Sequence, residues 1–204
     1  MKTYRDHYFL KARQERYPAR SVYKLKEIDK KFKIFAPGMT VLDLGAAPGS
    51  WSLFAAERVG PGGRVLACDM EEPGAVFPPT VTFLREDVFN RSKSFNSLLA
   101  ETGPFDAVLS DMAPRTTGTR FTDQARSLEL CEEALALAGA VLIKGGCFVV
   151  KIFMGPDIQG LVRDMRGHFG SVGAFKPKSS RPESKEIFYV ARNFKGIAHD
   201  PPQA

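Results

Sequence analysis

Cysteine is scarce in this 204-residue sequence, which holds only Cys68, Cys131 and Cys147. They are odd in number, widely spaced and set in apolar segments, which argues against a disulfide framework or a zinc site. Buried free thiols are the expected state. No His/Cys/Asp cluster with ligand spacing occurs, so no metal is expected. Long apolar runs are missing as well: none approaches the length that crosses a bilayer, and the N-terminus lacks the apolar segment of a secretory signal. A mitochondrial presequence would be rich in serine and poor in acids, whereas residues 1–33 hold one serine, Ser21, and four acids. These absences point to a cytoplasmic protein with no membrane partner. Internal repeats and low-complexity tracts are also absent.

What is present is a chain of 44% hydrophobic residues, long enough for one domain with a real core and short for two. Residues 1–195 are expected to form that domain, and the tail 196–204, with Pro201 and Pro202, to be disordered. The net charge of +6 is unevenly spread. Residues 1–33 carry eleven Lys/Arg against four acids, residues 34–162 ten against fifteen, and residues 163–204 eight against four. Both ends are basic and the middle is acidic. Clustered cations are the electrostatic footprint of a nucleic-acid partner, with a solvated basic face as the alternative. Tyr4, Tyr8, Phe9 and Tyr17 stand among the cations of the basic N-terminal arm, where aromatics can stack on unpaired bases or anchor the arm to its own domain.

The organising stretch is Val41-Leu-Asp-Leu-Gly-Ala-Ala-Pro-Gly-Ser-Trp51. An apolar segment ends at Gly45, small residues follow, and helical spacing begins beyond Gly49. This is strand, tight loop, helix, a nucleotide-type cradle in which small residues let the backbone approach a ligand. A dinucleotide fingerprint would read G-x-G-x-x-G, but position 47 is Ala and Pro48 withholds an N–H that a phosphate would want. A ligand with adenosine and no phosphate fits better, and S-adenosylmethionine is the obvious one.

Around this cradle the pattern alternates strands and helices. Val22, Leu25, Ile28 and Phe32 share one helical face, with Lys24 at its border. Strands are expected at 40–44, 64–69, 81–84, 105–110, 147–153, 171–175 and 186–193. Helices are expected from Ser21, at 49–59, 92–100, 123–144 and 157–169. Leu128, Leu135 and Leu142 would form the inner side of the long helix, with Gly145-Gly146 as its C-terminal stop. The last two strands would pair as an antiparallel edge hairpin around the basic loop Lys176-Pro-Lys-Ser-Ser-Arg-Pro-Glu-Ser-Lys185. Asp69 ends the second strand where a βαβ nucleotide fold sets an acid against ribose hydroxyls, with a turn aspartate as the plainer alternative. Asp87 follows the third strand. Asp111 ends the fourth, facing the same crevice. Lys151 interrupts the buried fifth strand, a costly place for a lysine unless it is paired or takes part in chemistry.

Five segments, Ser21-Val-Tyr-Lys-Leu, Val41 to Trp51, Ser110-Asp-Met-Ala-Pro114, Val149-Val-Lys-Ile-Phe153 and Lys176 to Tyr189, occur in the order found in FtsJ/RrmJ-type RNA 2′-O-methyltransferases, the RlmE family. The chain resembles that family over residues 4–193. The resemblance implies an α/β, Rossmann-like, seven-stranded methyltransferase fold that binds S-adenosylmethionine. It also implies a catalytic tetrad, which falls here on Lys24, Asp111, Lys151 and Glu186. Cofactor contacts carry over to Gly49, Trp51, Asp69, Asp87 and Asp111. Ser50 stands where many relatives have a second glycine, and Ala19-Arg20-Ser21 where many read Ser-Arg-Ala or Ser-Arg-Ser.

A ribose 2′-hydroxyl is a poor nucleophile and the sulfonium methyl is already activated, so such an enzyme must mainly align the partners and take a proton. Lys151 is the candidate base, Lys24 its neighbouring cation, and Asp111 and Glu186 the carboxylates that orient both. The implied partner is RNA, a uridine of 23S rRNA in the large ribosomal subunit, with a transfer RNA or a non-catalytic assembly role as alternatives. DNA lacks the target hydroxyl. A monomer is expected.

Overall fold

The computed structural model describes residues 2–181 and 183–196, so the expected tail beyond Gly196 lies outside the described residues. Thirteen elements follow in order: α1 (Lys2–Gln14), α2 (Val22–Phe32), β1 (Thr40–Leu44), α3 (Ser50–Val59), β2 (Arg64–Asp69), β3 (Val81–Arg85), α4 (Lys93–Thr102), β4 (Phe105–Ser110), α5 (Arg120–Val141), β5 (Leu142–Phe153), α6 (Ile158–His168), β6 (Phe169–Phe175) and β7 (Glu186–Phe194). Seven strands form one sheet in the order β3-β2-β1-β4-β5-β7-β6. β1 to β5 run parallel, and β7 inserts antiparallel between β5 and β6. The order reverses between β1 and β4, which opens a crevice at their carboxyl ends.

The two-residue period of the strands builds two cores. Val41, Ala67, Leu109, Val149 and Phe188 face α2 and α3, while Leu42, Leu66, Val108, Phe148 and Val150 face α4, α5 and α6. All five residues of β1 are buried, as a central parallel strand covered on both faces requires. In α2, Val22, Leu25 and Ile28 are fully buried, each adding roughly 1.5–3 kcal/mol. The helix ends where Lys33 turns left-handed and donates its N–H to the Asp29 carbonyl. The Asp29 carboxylate then accepts the N–H groups of Ile34 and Phe35 and meets Arg58 at 3.0 Å. Ser92 caps α4 by accepting the Phe95 N–H at 3.1 Å.

Three local expectations are corrected. Residues 2–14 are helical; the stretch lacks an apolar stripe that would announce a helix, and Ala12 is its buried contact with the core. The long helix spans 120–141, and Leu142 already belongs to β5. Its buried face is formed by Ser127, Cys131, Ala134, Leu137 and Ala138, with Leu128 and Leu135 only partly buried. Gly145 and Gly146 do not cap that helix; they sit in an irregular stretch of β5, where the register jumps from Phe105 opposite Leu142 to Ala107 opposite Cys147. The three cysteines are buried and free, and among the described residues no helix is long and apolar enough to cross a membrane.

Candidate active site

The cradle is a turn held by its own backbone. Gly45 and Ala46 both donate N–H groups to the Cys68 carbonyl, at 3.0 and 3.1 Å, which pins the end of β1 to β2. Gly45 has φ +76°, and a Cβ there would come within 2.7 Å of Met112. Gly49 has φ +109°, donates to the Ala46 carbonyl at 2.6 Å, and leaves room for Ala75 and Phe77, which a Cβ would meet at 2.8 and 3.0 Å. The Trp51 indole is buried, donates to the Ser21 carbonyl at 3.1 Å, and packs 5.8 Å from the Phe188 ring. Gly49 and Trp51 thus build the turn and its support. The residues of the loop that line the cleft are Gly45, Ala47 and Pro48.

Ser50 tightens this assembly. Its hydroxyl accepts the Ala19 N–H at 2.8 Å and donates to the Ala19 carbonyl at 3.1 Å, so α3 holds the segment before α2 at two points.

Beside the cradle lies a cleft of about 880 Å³ at the carboxyl ends of the parallel strands. Asp69, Asp87 and Asp111 all line it, as expected. Asp69 accepts the Ala47 N–H on Oδ2 and the Glu71 N–H on Oδ1, both at 2.9 Å, which fixes its carboxylate against the loop. Asp87 is fixed by the Phe89 N–H and the Asn90 amide. Six acids line the cleft (Asp69, Glu71, Glu86, Asp87, Asp111 and Glu129) against Arg115, Arg126 and Lys151. Such a surplus of carboxylates disfavours a pyrophosphate and suits a cationic ligand. S-adenosylmethionine, with a sulfonium, an ammonium and one carboxylate, fits that charge.

Strand periodicity brings the tetrad to one side. Leu109 and Val149 face the α2 and α3 core, so Asp111 and Lys151, two residues further on, point the same way. Lys151 is opposite Phe188 and Phe153 opposite Glu186, which places Glu186 diagonally across from Lys151 on that same face. Lys151 is 8% exposed; its ammonium lies 2.8 Å from Asp111 Oδ1 and also donates to the Asp111 carbonyl. Lys24 reaches down from α2, lies 5.8 Å from the Phe188 ring and forms an ion pair with Glu186. Ser180 donates to the same Glu186 oxygen at 3.2 Å. Burial works against the charge of Glu186, but the ammonium of Lys24, and more weakly that of Lys151, keep its carboxyl below the usual range.

A family model described as FtsJ-like methyltransferase matches residues 17–194. The chain belongs to the FtsJ-like methyltransferase family. It is 72% identical over 197 residues to the ribosomal RNA large subunit methyltransferase E of Nitratidesulfovibrio vulgaris (strain DP4), with 97% of each chain covered. It is 60% identical over 195 residues to the protein of that name from Lawsonia intracellularis, covering 96% of this chain and 98% of the relative. A solved structure described as a candidate ribosomal RNA methyltransferase from Plasmodium falciparum matches with a TM-score of 0.77 at 27% identity, covering 88% of this chain and all of that one. The MycE methyltransferase of mycinamycin biosynthesis, solved with Mg and SAH, matches at a TM-score of 0.56 over 90% of this chain and 50% of its own; at 14% identity it supports the fold alone.

This FtsJ-like methyltransferase therefore has the expected Rossmann-like fold, and S-adenosylmethionine is its methyl donor. Sequence reading passed over two groups near the site. Ser180 carries no distinguishing spacing, yet it braces Glu186. Asp43 is fully buried beneath α3 and accepts the Ser52 hydroxyl at 2.6 Å. An acid inside an otherwise aliphatic strand was the one visible signal for it.

Proposed function

We propose that this FtsJ-like methyltransferase transfers a methyl group to a ribose 2′-hydroxyl of 23S rRNA in the large ribosomal subunit, at a uridine. The observation that carries this reading is the meeting of two ion pairs, Lys24 with Glu186 and Lys151 with Asp111, on one face at the rim of an acidic cleft. The names of the relatives above support the choice of large-subunit RNA. Residues 1–195 act as one domain in this reading, working as a monomer in the cytoplasm, and DNA is excluded as a substrate because it lacks the reacting hydroxyl.

Bound S-adenosylmethionine supplies an activated methyl group on a sulfonium. Asp69 would hold it from the β2 side and Asp87 from the β3 side, while Asp111 and Lys151 line the same cleft as an ion pair. Lys151 takes the hydroxyl proton as the oxygen attacks. Glu186 and Ser180 hold Lys24 in place, so the second ammonium remains a fixed charge at the rim. Alignment and proton removal are the two contributions the protein makes.

The test is to map 2′-O-methylation on large-subunit and transfer RNA from cells lacking this protein. One missing methyl group in 23S rRNA, restored by the wild-type gene and not by Lys151→Ala, is the expected result. A missing methyl group confined to transfer RNA would move the substrate to that class.

A further inference from the structure

Two of the large apolar side chains that the fold leaves in solvent meet at the carboxyl end of the sheet. Met154, the first residue beyond β5, is 42% exposed, and Phe121, in the first turn of α5, is 70% exposed. Gln124 joins them. It lies three residues after Phe121, a neighbour on the helix surface, and its Nε2 donates to the Met154 carbonyl. The Met154 N–H donates in turn to the Lys185 carbonyl at 2.9 Å, and Phe153 pairs with Glu186, so the patch continues directly from the tetrad.

Hydrogen bonds fix both turns that carry the patch. Asp123 Oδ1 accepts the Thr117 N–H at 2.7 Å and the Thr117 hydroxyl at 2.9 Å, which staples the loop after β4 to the start of α5. The Ser127 hydroxyl accepts the Phe153 N–H at 3.0 Å, so α5 grips the end of β5 at a second point. Gly155 lets the Gln124 side chain lie close to the backbone, since a Cβ there would stand 3.1 Å from Cδ and 3.3 Å from Oε1. A carbonyl only accepts, so the amide nitrogen must face Met154. Gln124 therefore has one orientation, with Oε1 as its acceptor.

We propose that this patch seats the base of the target nucleotide, with Phe121 and Met154 packed on the base and Gln124 Oε1 accepting a ring N–H from its edge. The inference rests on the 2′-O-methylation reading. An unpaired base in RNA is held by aromatic stacking and read by hydrogen bonds to its Watson–Crick edge, and a thioether adds a favourable contact to a ring. Met154 is three residues beyond Lys151, roughly 10 Å along an extended chain, so a nucleoside whose ribose is presented to Lys151 sets its base here. Uracil carries an N–H at N3, where cytosine has an acceptor, and the fixed Oε1 thereby selects uracil. Two side chains fall far short of the roughly 800 Å² that each partner buries in a stable protein interface, which favours a base over a protein.

The experiment uses the full chain and large-subunit RNA from cells lacking it. It compares wild type, Phe121→Ala, Phe121→Tyr and Gln124→Leu for RNA affinity against salt, KM and kcat of methyl transfer, cofactor affinity and melting temperature. Phe121→Ala is expected to raise the KM for RNA about tenfold, the size of one lost stacking contact, with the salt slope and cofactor affinity unchanged. Phe121→Tyr keeps a ring and restores the KM. On RNA with cytidine in place of the methylated uridine, kcat/KM should fall about tenfold for wild type and stay level for Gln124→Leu. Unchanged KM and RNA affinity in Phe121→Ala overturn the proposal whatever its melting temperature, and so does a preference for uridine that survives in Gln124→Leu. RNA affinity is read without turnover, so failure of the wild type to methylate any large-subunit RNA would count separately, against the function.

Discussion

Lys151 grips Asp111 twice: its ammonium stands 2.8 Å from the carboxylate Oδ1 and donates to the carbonyl of the same residue. Asp111 also lines the cleft, so in the proposed mechanism this contact would join cofactor binding to proton transfer. Lys151→Met is expected to cut methyl transfer at least a hundredfold while cofactor affinity stays within about threefold. Stability should fall by about 3 kcal/mol, because Asp111 keeps its charge and loses its cation. Calorimetry with the cofactor and single-turnover transfer separate the effects; normal turnover at saturating cofactor would reject Lys151 as the base.

Asp69 accepts one N–H on each carboxylate oxygen, from Ala47 and Glu71. Each oxygen retains a lone pair toward the cleft. Asp69→Ala should weaken cofactor binding on the order of tenfold to a hundredfold, the size expected for losing hydrogen bonds to a charged group. Asp69→Asn should fall between. A dissociation constant equal to that of the wild type in both variants would take Asp69 out of the pocket.

Asp43 gives a pH signature. Burial raises its carboxyl from the ordinary 3.8 to about 7, the neighbouring charges of Asp111 and Asp69 add to this, and the Ser52 hydrogen bond opposes it. Between about pH 4 and 7 the folded state therefore holds a proton that the unfolded chain has lost. Stability from this group is full below pH 4, declines as pH rises through the window, and levels off above about 7. The slope is at most about 1.4 kcal/mol per pH unit. Asp43→Asn keeps the shape and an acceptor for Ser52, and its urea midpoint should lose this decline. A wild-type curve already flat from pH 4 to 7 would contradict the protonated form.

Gly49→Ala combines a left-handed φ of +109° with a Cβ 2.8 Å from Ala75 and 3.0 Å from Phe77. Gly38 has φ +84° and nothing within 4 Å of an added Cβ, so Gly38→Ala isolates the backbone strain. The backbone strain alone costs about 1–3 kcal/mol, and Gly49→Ala should lose more than that in urea unfolding. Equal losses in the two variants would show that the turn yields to the new methyl group.

The cradle and the acids at the carboxyl ends of β2 and β4 were legible because their signals are local: apolar alternation, small residues at a turn, and an acid where a strand stops. α1 was not, because its buried contact through Ala12 leaves no stripe to count. The inner face of α5 was misread for a related reason. A helix lying close on a sheet packs small side chains inward, so Ser127, Cys131, Ala134 and Ala138 fill it while Leu128 and Leu135 stay at its margin. Gly145 and Gly146 look like a helix stop, and only pairing with β4 reveals an irregular strand.

By itself the sequence determined the alternation of strands and helices and the strand–loop–helix cradle, and its resemblance supplied the expectation of a tetrad at Lys24, Asp111, Lys151 and Glu186. Tertiary structure alone decided that β7 threads between β5 and β6, which sets Glu186 diagonal to Lys151 and under Lys24. It also decided that Gln124 of α5 meets the Met154 carbonyl beyond β5. Local spacing fixes which way a side chain points along its own element. Which element lies opposite follows from hydrogen-bond register and from burying both faces of the sheet at once, and those are properties of the whole chain.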